Sequence, residues 1–286
     1  MKIVVIGYAS LDFVVCLDAP ALPDRTATIL SRPRQWPRLG GSPAYVCAAL
    51  VAAGAQDVMP ASWVGDDDEG ARYREELRRL GVAADGVSLR VGRTPVCLLA
   101  YQPDGGCVCL YDPGLATPIE LDETQQDHIR AADALVVTVG PPAATRRALA
   151  CARADAKLIW IVKADLRATP PDLAVALAAR ADIVVHSEGE AAFVAEALAA
   201  AGGHSGRVRI ETRGARGVAI HTGATETLVA ADPLDVEDAT GAGDTWVGGF
   251  LAARLLRGAD LGEAARAGQA SVRAMLAARV EMKGQA

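Results

Sequence analysis

The sequence predicts an α/β protein with three layers, in which helices cover both faces of a mostly parallel central sheet. Short, almost wholly apolar runs of strand length alternate along the chain with longer runs of helical periodicity, which is the order of a parallel sheet with crossover helices. Hydrophobic residues make up 51% of the 286 residues and charged residues 22%, so the chain can bury a large core. We therefore expect a single domain over residues 1–286.

The predicted elements follow one another in a regular order. The first strand is the apolar run KIVVIG at 2–7, and the first helix is SPAYVCAALVAAGA at 42–55. The strand DVMPASWVG leads into a helix at 67–81 that a glycine closes. Further strands are predicted at 134–140, 156–162, 181–187 and 206–212, and further helices at 142–153, 170–180, 188–201, 241–256 and 260–279.

Two segments, about 11–31 and 94–111, break this order, because their apolar residues alternate and no helix accompanies them. The turn PDGG at 103–106 makes the second segment a predicted hairpin. We expect the two segments to pair into a small β sheet that projects from the main domain and acts as a lid over a binding crevice. The exposed edges of its strands offer a surface through which two copies could form a homodimer.

Charge and composition exclude several classes of partner. The net charge is −6 and no run of Lys or Arg occurs, so we expect no binding to nucleic acid. The local basic cluster RPRQWPR at 32–38 is interrupted by prolines, and we interpret it as a loop. The N-terminal apolar run is too short for a signal peptide or a membrane span, which favours the cytoplasm. The six cysteines and four histidines lack metal-site spacing, so we expect reduced structural thiols.

The stretch DATGAGDTWVGGF at 238–250 has the clearest chemical logic. Gly241 and Gly243 allow a tight turn, and the helix that follows points its unpaired N–H groups and positive dipole end outward. This is an anion site suited to phosphate. A carboxylate there, Asp244, is poorly placed for simple phosphate binding but well placed to take a proton from an attacking hydroxyl, which indicates phosphoryl transfer. The alternative is that Asp244 only stabilises the helix N-terminus, with Asp238 and Thr240 making turn contacts.

Other polar residues fall at predicted strand ends, where open parallel sheets bind their ligands. Asp12 and the pair Gly40–Gly41 come after the first strand, Asp165 and Arg167 follow the strand LIWIV, and Glu190 follows IVVHS. No G-x-x-x-x-G-K-[ST] motif occurs, so the phosphate site is not an ordinary P-loop.

Together these motifs resemble the PfkB/ribokinase carbohydrate kinases. DATGAGDTWVGGFLAA resembles the C-terminal signature of that family, close to D-T-x-G-A-G-D-x-F, and GGSPAYVCAALVAAGA is similar to its N-terminal signature. GYASLD, WVGDDDEG and ETRGARGV are further matches, and the resemblance runs in the family's order from residue 3 to about 275. It implies a ribokinase-like fold with a β lid and an ATP-dependent kinase that phosphorylates a hydroxyl of a sugar or sugar derivative.

The resemblance also implies roles for individual residues. Asp244 is expected to be the catalytic base, and Gly241, Ala242 and Gly243 the anion hole. The acceptor is expected to contact a second group of residues: Asp12, Gly40, Gly41, Tyr45, Asp165 and Arg167. The nucleotide and Mg²⁺ are expected at a third group, in which the glutamate acts on the metal through water: Ser187, Glu190, Thr212, Arg213, Gly214 and Gly217. Asp238 and Thr240 lie where many relatives bind a monovalent cation, which makes K⁺ a candidate cofactor.

The chain departs from the family pattern at three asparagines. Tyr45, Ser187 and Asp165 stand at those positions, and the chain contains no asparagine at all. Either drift against asparagine produced tolerated substitutions, or the acceptor pocket is rebuilt for another substrate, with Tyr45 stacking on a sugar or a nucleobase. Two alternatives to a sugar kinase therefore stay open, namely a nucleoside kinase of the same fold and a non-catalytic sugar- or nucleotide-binding protein.

Overall fold

The computed structural model describes residues 1–202, 206–232 and 238–283. The strands of these residues are β1 (Lys2–Ile6), β2 (Ser10–Leu17), β3 (Ile29–Ser31), β4 (Arg38–Gly40), β5 (Asp57–Gly65), β6 (Val87–Arg90), β7 (Val96–Tyr101), β8 (Cys107–Asp112), β9 (Ala134–Val137), β10 (Lys157–Ile161), β11 (Ile183–Ser187), β12 (Val208–Thr212), β13 (Val218–Thr222) and β14 (Thr225–Val229). The α-helices are α1 (Ser42–Ala52), α2 (Asp68–Arg79), α3 (Glu123–Arg130), α4 (Pro142–Cys151), α5 (Pro171–Arg180), α6 (Ala191–Ala201), α7 (Ala242–Leu251) and α8 (Leu261–Lys283).

The main sheet has nine strands in the order β14-β13-β12-β11-β10-β9-β1-β5-β6. All neighbouring pairs from β12 to β6 are parallel, and β13 and β14 continue the sheet in antiparallel pairing. Residues of the central strands are buried on both sides, and the apolar side chains form two clusters, one on each face of the sheet. The three-layer prediction is confirmed by these two clusters. The physical reason is that strands with nearly continuous apolar residues need a helical layer on each face of the sheet.

A separate small sheet has the order β3-β2-β7-β8, with β4 also paired to β2, and we refer to it as the lid after the role expected for it. The central pair β2–β7 is parallel, and β7–β8 is the predicted hairpin. Asp67 joins this sheet to the main domain, because its carboxylate caps α2 through the Gly70 N–H at 2.7 Å and also accepts the Thr94 N–H at 2.7 Å. The two irregular segments pair with each other in the structure through β2 and β7.

Several elements lie outside the pattern that the sequence analysis used. The helix α3 is mainly polar, and it is held by a capping box between Asp122 and Gln125. The Gln125 amide is fully buried and donates to the carbonyls of Ser62 and Gly86. The short strand β6 and the half-exposed hairpin β13–β14 also lack a continuous apolar run. The last turn of the predicted helix at 241–256 is a π-helical segment, Ala252–Leu256.

The sheet order fixes where a ligand can bind. The chain runs outward from β1 in one direction through β5 and β6, and in the other through β9 to β12, so the switch point lies between β1 and β9. Crevices outside the carboxyl ends at such a point are the binding sites of open α/β sheets. Within the described part of the chain, no helix is long and apolar enough to span a membrane.

Candidate active site

The turn into α7 has the geometry of an anion site. Gly241 caps the helix in the left-handed region, with φ 75° and ψ 2°, and Gly243 is exposed in the first turn. Helix N-termini leave their first N–H groups without intrahelical partners, and the dipole adds positive potential there. Gly241, Ala242 and Gly243, the residues predicted as the anion hole, thus form the tight turn at the start of α7, where the Ala242 N–H donates to the Ala239 carbonyl at 3.0 Å.

Asp244 lies in the first turn of α7, directly after this anion site. Burial raises the pKa of its carboxyl to about 6, against the lowering effects of the Ser42 hydroxyl, which hydrogen-bonds it, and of the Lys163 charge. The negative charges of Asp12 and Glu190 raise it further. A carboxylate with a pKa close to neutrality is a better proton acceptor than an ordinary surface aspartate.

Tyr45 packs its ring against the turn. A Cβ atom added to Gly241 would lie 2.5 Å from two ring carbons of Tyr45, so any other residue at position 241 would collide with the ring. The hydroxyl oxygen of Tyr45 is buried. Tyr45 stands where the family pattern has asparagine, and its ring packs against the Gly241 turn. This contact helps to hold the turn in place.

The predicted acceptor residues Asp12, Gly40 and Gly41 lie together at the junction of the lid and α1. Asp12 is 4% exposed and accepts a hydrogen bond from the Ser10 hydroxyl at 2.7 Å. A Cβ on Gly40 would lie 1.9 Å from the Asp12 carboxylate, and Gly41 caps α1 with φ 82° against the Tyr8 carbonyl. The two glycines thus let β4 approach Asp12 closely.

Arg38, which was not among the predicted site residues, faces this carboxylate. Arg38 lies opposite Asp12 in the antiparallel pairing of β4 with β2 and is 8% exposed. Burial raises the pKa of Asp12 to about 6, although the Ser10 hydrogen bond and the charge of Arg38 oppose the rise. Arg38 ends the cluster RPRQWPR, so the interpretation of that cluster as a plain loop was incomplete.

Asp165 and Arg167 lie in the exposed loop after β10. The Asp165 carboxylate accepts the backbone N–H groups of Arg167 at 2.8 Å and Ala168 at 3.3 Å, which fixes the loop. Burial raises the pKa of Tyr8, two residues after β1, and the negative charge of Asp165 raises it further. The structure thus places both Asp165 and Arg167 at exposed positions of one loop at the carboxyl end of β10.

Ser187 and Glu190 form a capping box at the end of β11. The Glu190 carboxylate is buried, and its Oε2 accepts the N–H and the hydroxyl of Ser187, both at 2.8 Å. The Lys163 ammonium lies 3.8 Å from the Glu190 Oε1. The position of Lys163 directly after a predicted strand is the one sequence signal that points to it, and its charge also lowers the pKa of Asp244.

The described residues can bind Mg²⁺ only with help from other ligands. No group of three or more His, Cys, Asp or Glu side chains among them is arranged to hold a metal ion. Mg²⁺ keeps several waters and usually binds through one or two carboxylates together with substrate phosphates. One buried carboxylate, Glu190, at a strand end beside an anion site fits that mode of binding.

The predicted nucleotide segment lies beside Ser187. Thr212 is its direct partner across the parallel pair β11–β12, and the Thr212 hydroxyl donates to the His186 carbonyl at 3.3 Å. Gly214 and Gly217 follow, both with positive φ, and make the tight turn into β13. Arg213 pairs with Glu211 at 2.6 Å. The structure thus brings Ser187, Thr212 and the glycine turn to one edge of the sheet.

Asp238 and Thr240 also lie together, but other groups already engage them. Both carboxylate oxygens of Asp238 accept hydrogen bonds from Arg38, at 2.7 and 3.0 Å. The Thr240 N–H donates to Asp238 at 3.0 Å, and the Thr240 hydroxyl lies 2.9 Å from that of Tyr101 in the lid. The predicted pair therefore links the anion site to the lid.

Comparison with known protein families agrees with this geometry. A sequence model described as pfkB family carbohydrate kinase matches residues 1–279. An ATP-dependent ribose-1-phosphate kinase of Halopiger xanaduensis is 29% identical over 90% of this chain and 86% of its own length. A nucleoside kinase of Methanothermobacter thermautotrophicus is 28% identical over 90% of this chain and 83% of its own length.

Solved structures agree on the fold. A putative ribokinase II from E. coli, determined in complex with ATP and Mg²⁺, superposes with a TM-score of 0.75 at 20% identity. The match covers 94% of this chain and 90% of the other. The overall architecture is thus that of the ribokinase fold.

Proposed function

Because the chain belongs to the pfkB family of carbohydrate kinases, which are ATP-dependent phosphotransferases acting on sugar or nucleoside hydroxyls, we propose that it phosphorylates a primary hydroxyl of a ribose-containing acceptor. The observation that carries this proposal is Asp244, a carboxylate with a raised pKa placed directly after an anion site. The ribose ring is proposed because the two relatives are named for ribose 1-phosphate and for nucleosides, which share it.

The site residues divide the reaction between them. Asp244 accepts the proton of the acceptor hydroxyl as its oxygen attacks the γ-phosphorus, and the N–H groups of the Gly241–Gly243 turn face the negative charge on the transferring group. Asp12 accepts hydrogen bonds from other hydroxyls of the acceptor and so orients the reacting one. Lys163 adds positive charge between Asp244 and Glu190.

ATP and Mg²⁺ are proposed at the edge formed by Glu190 and the Thr212–Gly217 turn. When bound, Mg²⁺ neutralises charge on the phosphate oxygens. Glu190 would hold it through water, with its geometry fixed by Ser187. The lid closes over the acceptor and excludes water, which would otherwise accept the phosphoryl group. Since ATP is the donor, we place the enzyme in the cytoplasm.

A panel of acceptors tests the proposed function. ADP release is measured with MgATP and ribose, ribose 1-phosphate, nucleosides, hexoses or sugar acids. We expect turnover with a ribose-containing acceptor, and replacement of Asp12 by Asn should raise KM for that acceptor about 10-fold or more while KM for ATP is unchanged. The control is Asp24→Asn, at an exposed lid position with φ 58° that asparagine tolerates. Turnover confined to hexoses or sugar acids would contradict the ribose assignment.

The nucleoside alternative is favoured by one specific contact. The ring centroids of Tyr8, which follows β1, and Tyr111, in the lid, lie 5.9 Å apart, and the ring planes make an angle of 49°. One aromatic side chain from the main domain and one from the lid therefore face each other beside the acceptor region. Such a pair could provide a stacking surface for a base. In the same panel, a nucleoside kinase shows a KM for nucleosides far below that for ribose 1-phosphate, and a sugar-phosphate kinase shows the reverse.

Saturating ligand binding without ADP release would indicate a non-catalytic protein.

The pH dependence of kcat/KM should show a decline on the acid side. Asp244 must be ionised to accept a proton, and its pKa is raised to about 6, so kcat/KM should fall as the pH drops through about 6. Asp12→Asn should keep this decline but move it to lower pH, because the negative charge of Asp12 is one of the causes that raise the pKa of Asp244. A profile that is flat down to pH 4.5, about where an ordinary carboxylate titrates, would argue against Asp244 as the base.

A homodimer through the lid is a further proposal. The outer face of the lid carries exposed apolar side chains, Leu98 and Leu110 on adjacent strands and Ile29 and Leu30 at the edge. Exposed edge strands readily pair with a second copy. Light scattering should then give a dimer mass that Leu98→Glu with Leu110→Glu reduces to that of a monomer, whereas a monomeric wild-type chain would contradict the proposal.

A further inference from the structure

Arg38 and Asp238 form a buried ion pair between the lid and the anion site. Their side chains are 9% and 14% exposed, and the guanidinium contacts both carboxylate oxygens, in the parallel two-bond geometry that makes arginine–carboxylate pairs strong. The pair joins β4, at the base of the lid, to the segment that leads into α7. The two residues are 200 positions apart in the chain, so the contact is a tertiary one.

A second guanidinium approaches the same carboxylate. Arg279 of α8 lies 3.8 Å from the Asp238 Oδ2 and donates to the Asp238 backbone carbonyl at 3.4 Å. Arg38 and Arg279 thus approach the same carboxylate oxygen of Asp238. Burial lowers the pKa of Arg279, and the positive charge of Arg38 lowers it further. Arginine nevertheless stays charged at any physiological pH.

A monovalent cation does not fit this arrangement. The carboxylate and carbonyl oxygens of Asp238, which would have to be its ligands, already accept hydrogen bonds from Arg38, Arg279 and the Thr240 N–H. A cation placed there would also stand beside two guanidinium groups, and like charges at such short range repel strongly. The expectation of K⁺ at Asp238 and Thr240, which came from family resemblance, therefore conflicts with the contacts of this chain.

We propose that Arg38 does the work of that cation, so that the enzyme needs no monovalent ion. Its charge holds Asp238, Asp238 holds the Thr240 N–H, and Thr240 precedes the Gly241 turn whose N–H groups face the phosphoryl group. Arg38 also faces Asp12 across the β2–β4 pairing. The Arg38 side chain therefore aligns the Asp12 carboxylate, which binds the acceptor, with the anion site. Arg38 is thus a positioning residue, and this inference rests on the proposed kinase function.

The first test uses the wild-type enzyme in buffers whose salt is KCl, NaCl or tetramethylammonium chloride at equal ionic strength. We expect kcat/KM to agree within about twofold among the three salts, and the melting temperature to be the same in KCl and tetramethylammonium chloride. Activation by K⁺ of about 10-fold or more, or a melting temperature raised specifically by K⁺, would overturn the proposal. The melting measurement stands even if no acceptor is turned over, so its result is separate from failure of the proposed function.

The second test removes the charge. Arg38→Met keeps the length of the side chain, and we expect kcat to fall about 10-fold or more, with KM for ATP changed less and activity partly restored by K⁺ or guanidinium ion. The matched control is Arg34→Met, an exposed arginine of the same segment, which should behave as the wild type. Full activity of Arg38→Met in tetramethylammonium chloride would overturn the proposal. If Arg38→Met fails to fold, Arg38→Lys still supplies a positive charge, so its kcat/KM should be as independent of K⁺ as that of the wild type, and activation of this variant by K⁺ of about 10-fold or more would overturn the proposal.

Discussion

Replacing Asp244 by Asn is expected to lower kcat by about 10²–10⁴-fold or more while the protein stays folded. The carboxylate is the group that accepts the proton of the attacking hydroxyl, and the amide of asparagine cannot do so. The substitution keeps the size of the side chain and its place in the first turn of α7. KM for ATP should change little, because the anion-site N–H groups are unaltered.

The stability of the Asp244→Asn variant separates a catalytic role from a structural one. Burial raises the folded-state pKa from 3.8 to about 6, so between these two values the folded state holds a proton that the unfolded state has lost. Folding stability from this group therefore falls as the pH rises through that window, and the ionised form is destabilising at neutral pH. We expect a melting temperature at pH 7.5 equal to or above that of the wild type. Asp68→Asn, at an exposed position in the first turn of α2, is the control for a plain loss of charge. Near-normal turnover of Asp244→Asn would show that another group is the base.

The second large effect is expected from Gly241→Ala. Its backbone has φ 75°, which costs an L-residue about 1–2 kcal/mol, and its new Cβ would lie 2.5 Å from the Tyr45 ring. Relief of this collision must move either the ring or the turn, and moving the turn shifts the N–H groups that face the phosphoryl group. We expect kcat to fall about 10²-fold or more and stability to fall by about 2–3 kcal/mol in urea unfolding.

The neighbouring glycine provides a matched control for stability. A Cβ added to Gly243 meets no atom within 4 Å, and Gly243 is not among the residues with positive φ. Since alanine favours a helix over glycine by about 1 kcal/mol, Gly243→Ala should be at least as stable as the wild type. Equal stability of the Gly241 and Gly243 variants would contradict the close contact between the anion turn and Tyr45.

The fold was predictable from the sequence wherever apolar periodicity decides it. The pattern of apolar side chains alone predicts three of the elements that the structure shows: the strands KIVVIG and IVVHS and the helix at 42–55. The helix α3 was not, because a capping box and the buried Gln125 amide hold it, and hydrogen bonds of this kind do not show as a pattern. The hairpin β13–β14 was not predicted either, because it is half exposed and lacks a continuous apolar run.

The candidate site was predictable where a local motif carries it and not where distant segments meet. Gly241 and Asp244 lie three positions apart at the start of one helix, so the sequence alone predicts that the turn and the carboxylate lie side by side. Arg38 was not identified as a site residue, because its partner Asp238 lies 200 positions away and proline-rich surroundings predict a loop. The place of Lys163 between Asp244 and Glu190 likewise depends on how the strand ends assemble.

Phosphorus NMR of the complete reaction tests the central claim most directly. Wild-type enzyme is mixed with MgATP and the best acceptor of the panel, and the products are compared with those of Asp244→Asn. We predict that ADP and a phosphomonoester on the acceptor's primary hydroxyl appear in equal amounts with the wild type, and that neither accumulates with the variant. ADP with inorganic phosphate but no phosphorylated acceptor, or equal product from both proteins, would contradict the assignment of Asp244 as the base of a ribose-directed kinase.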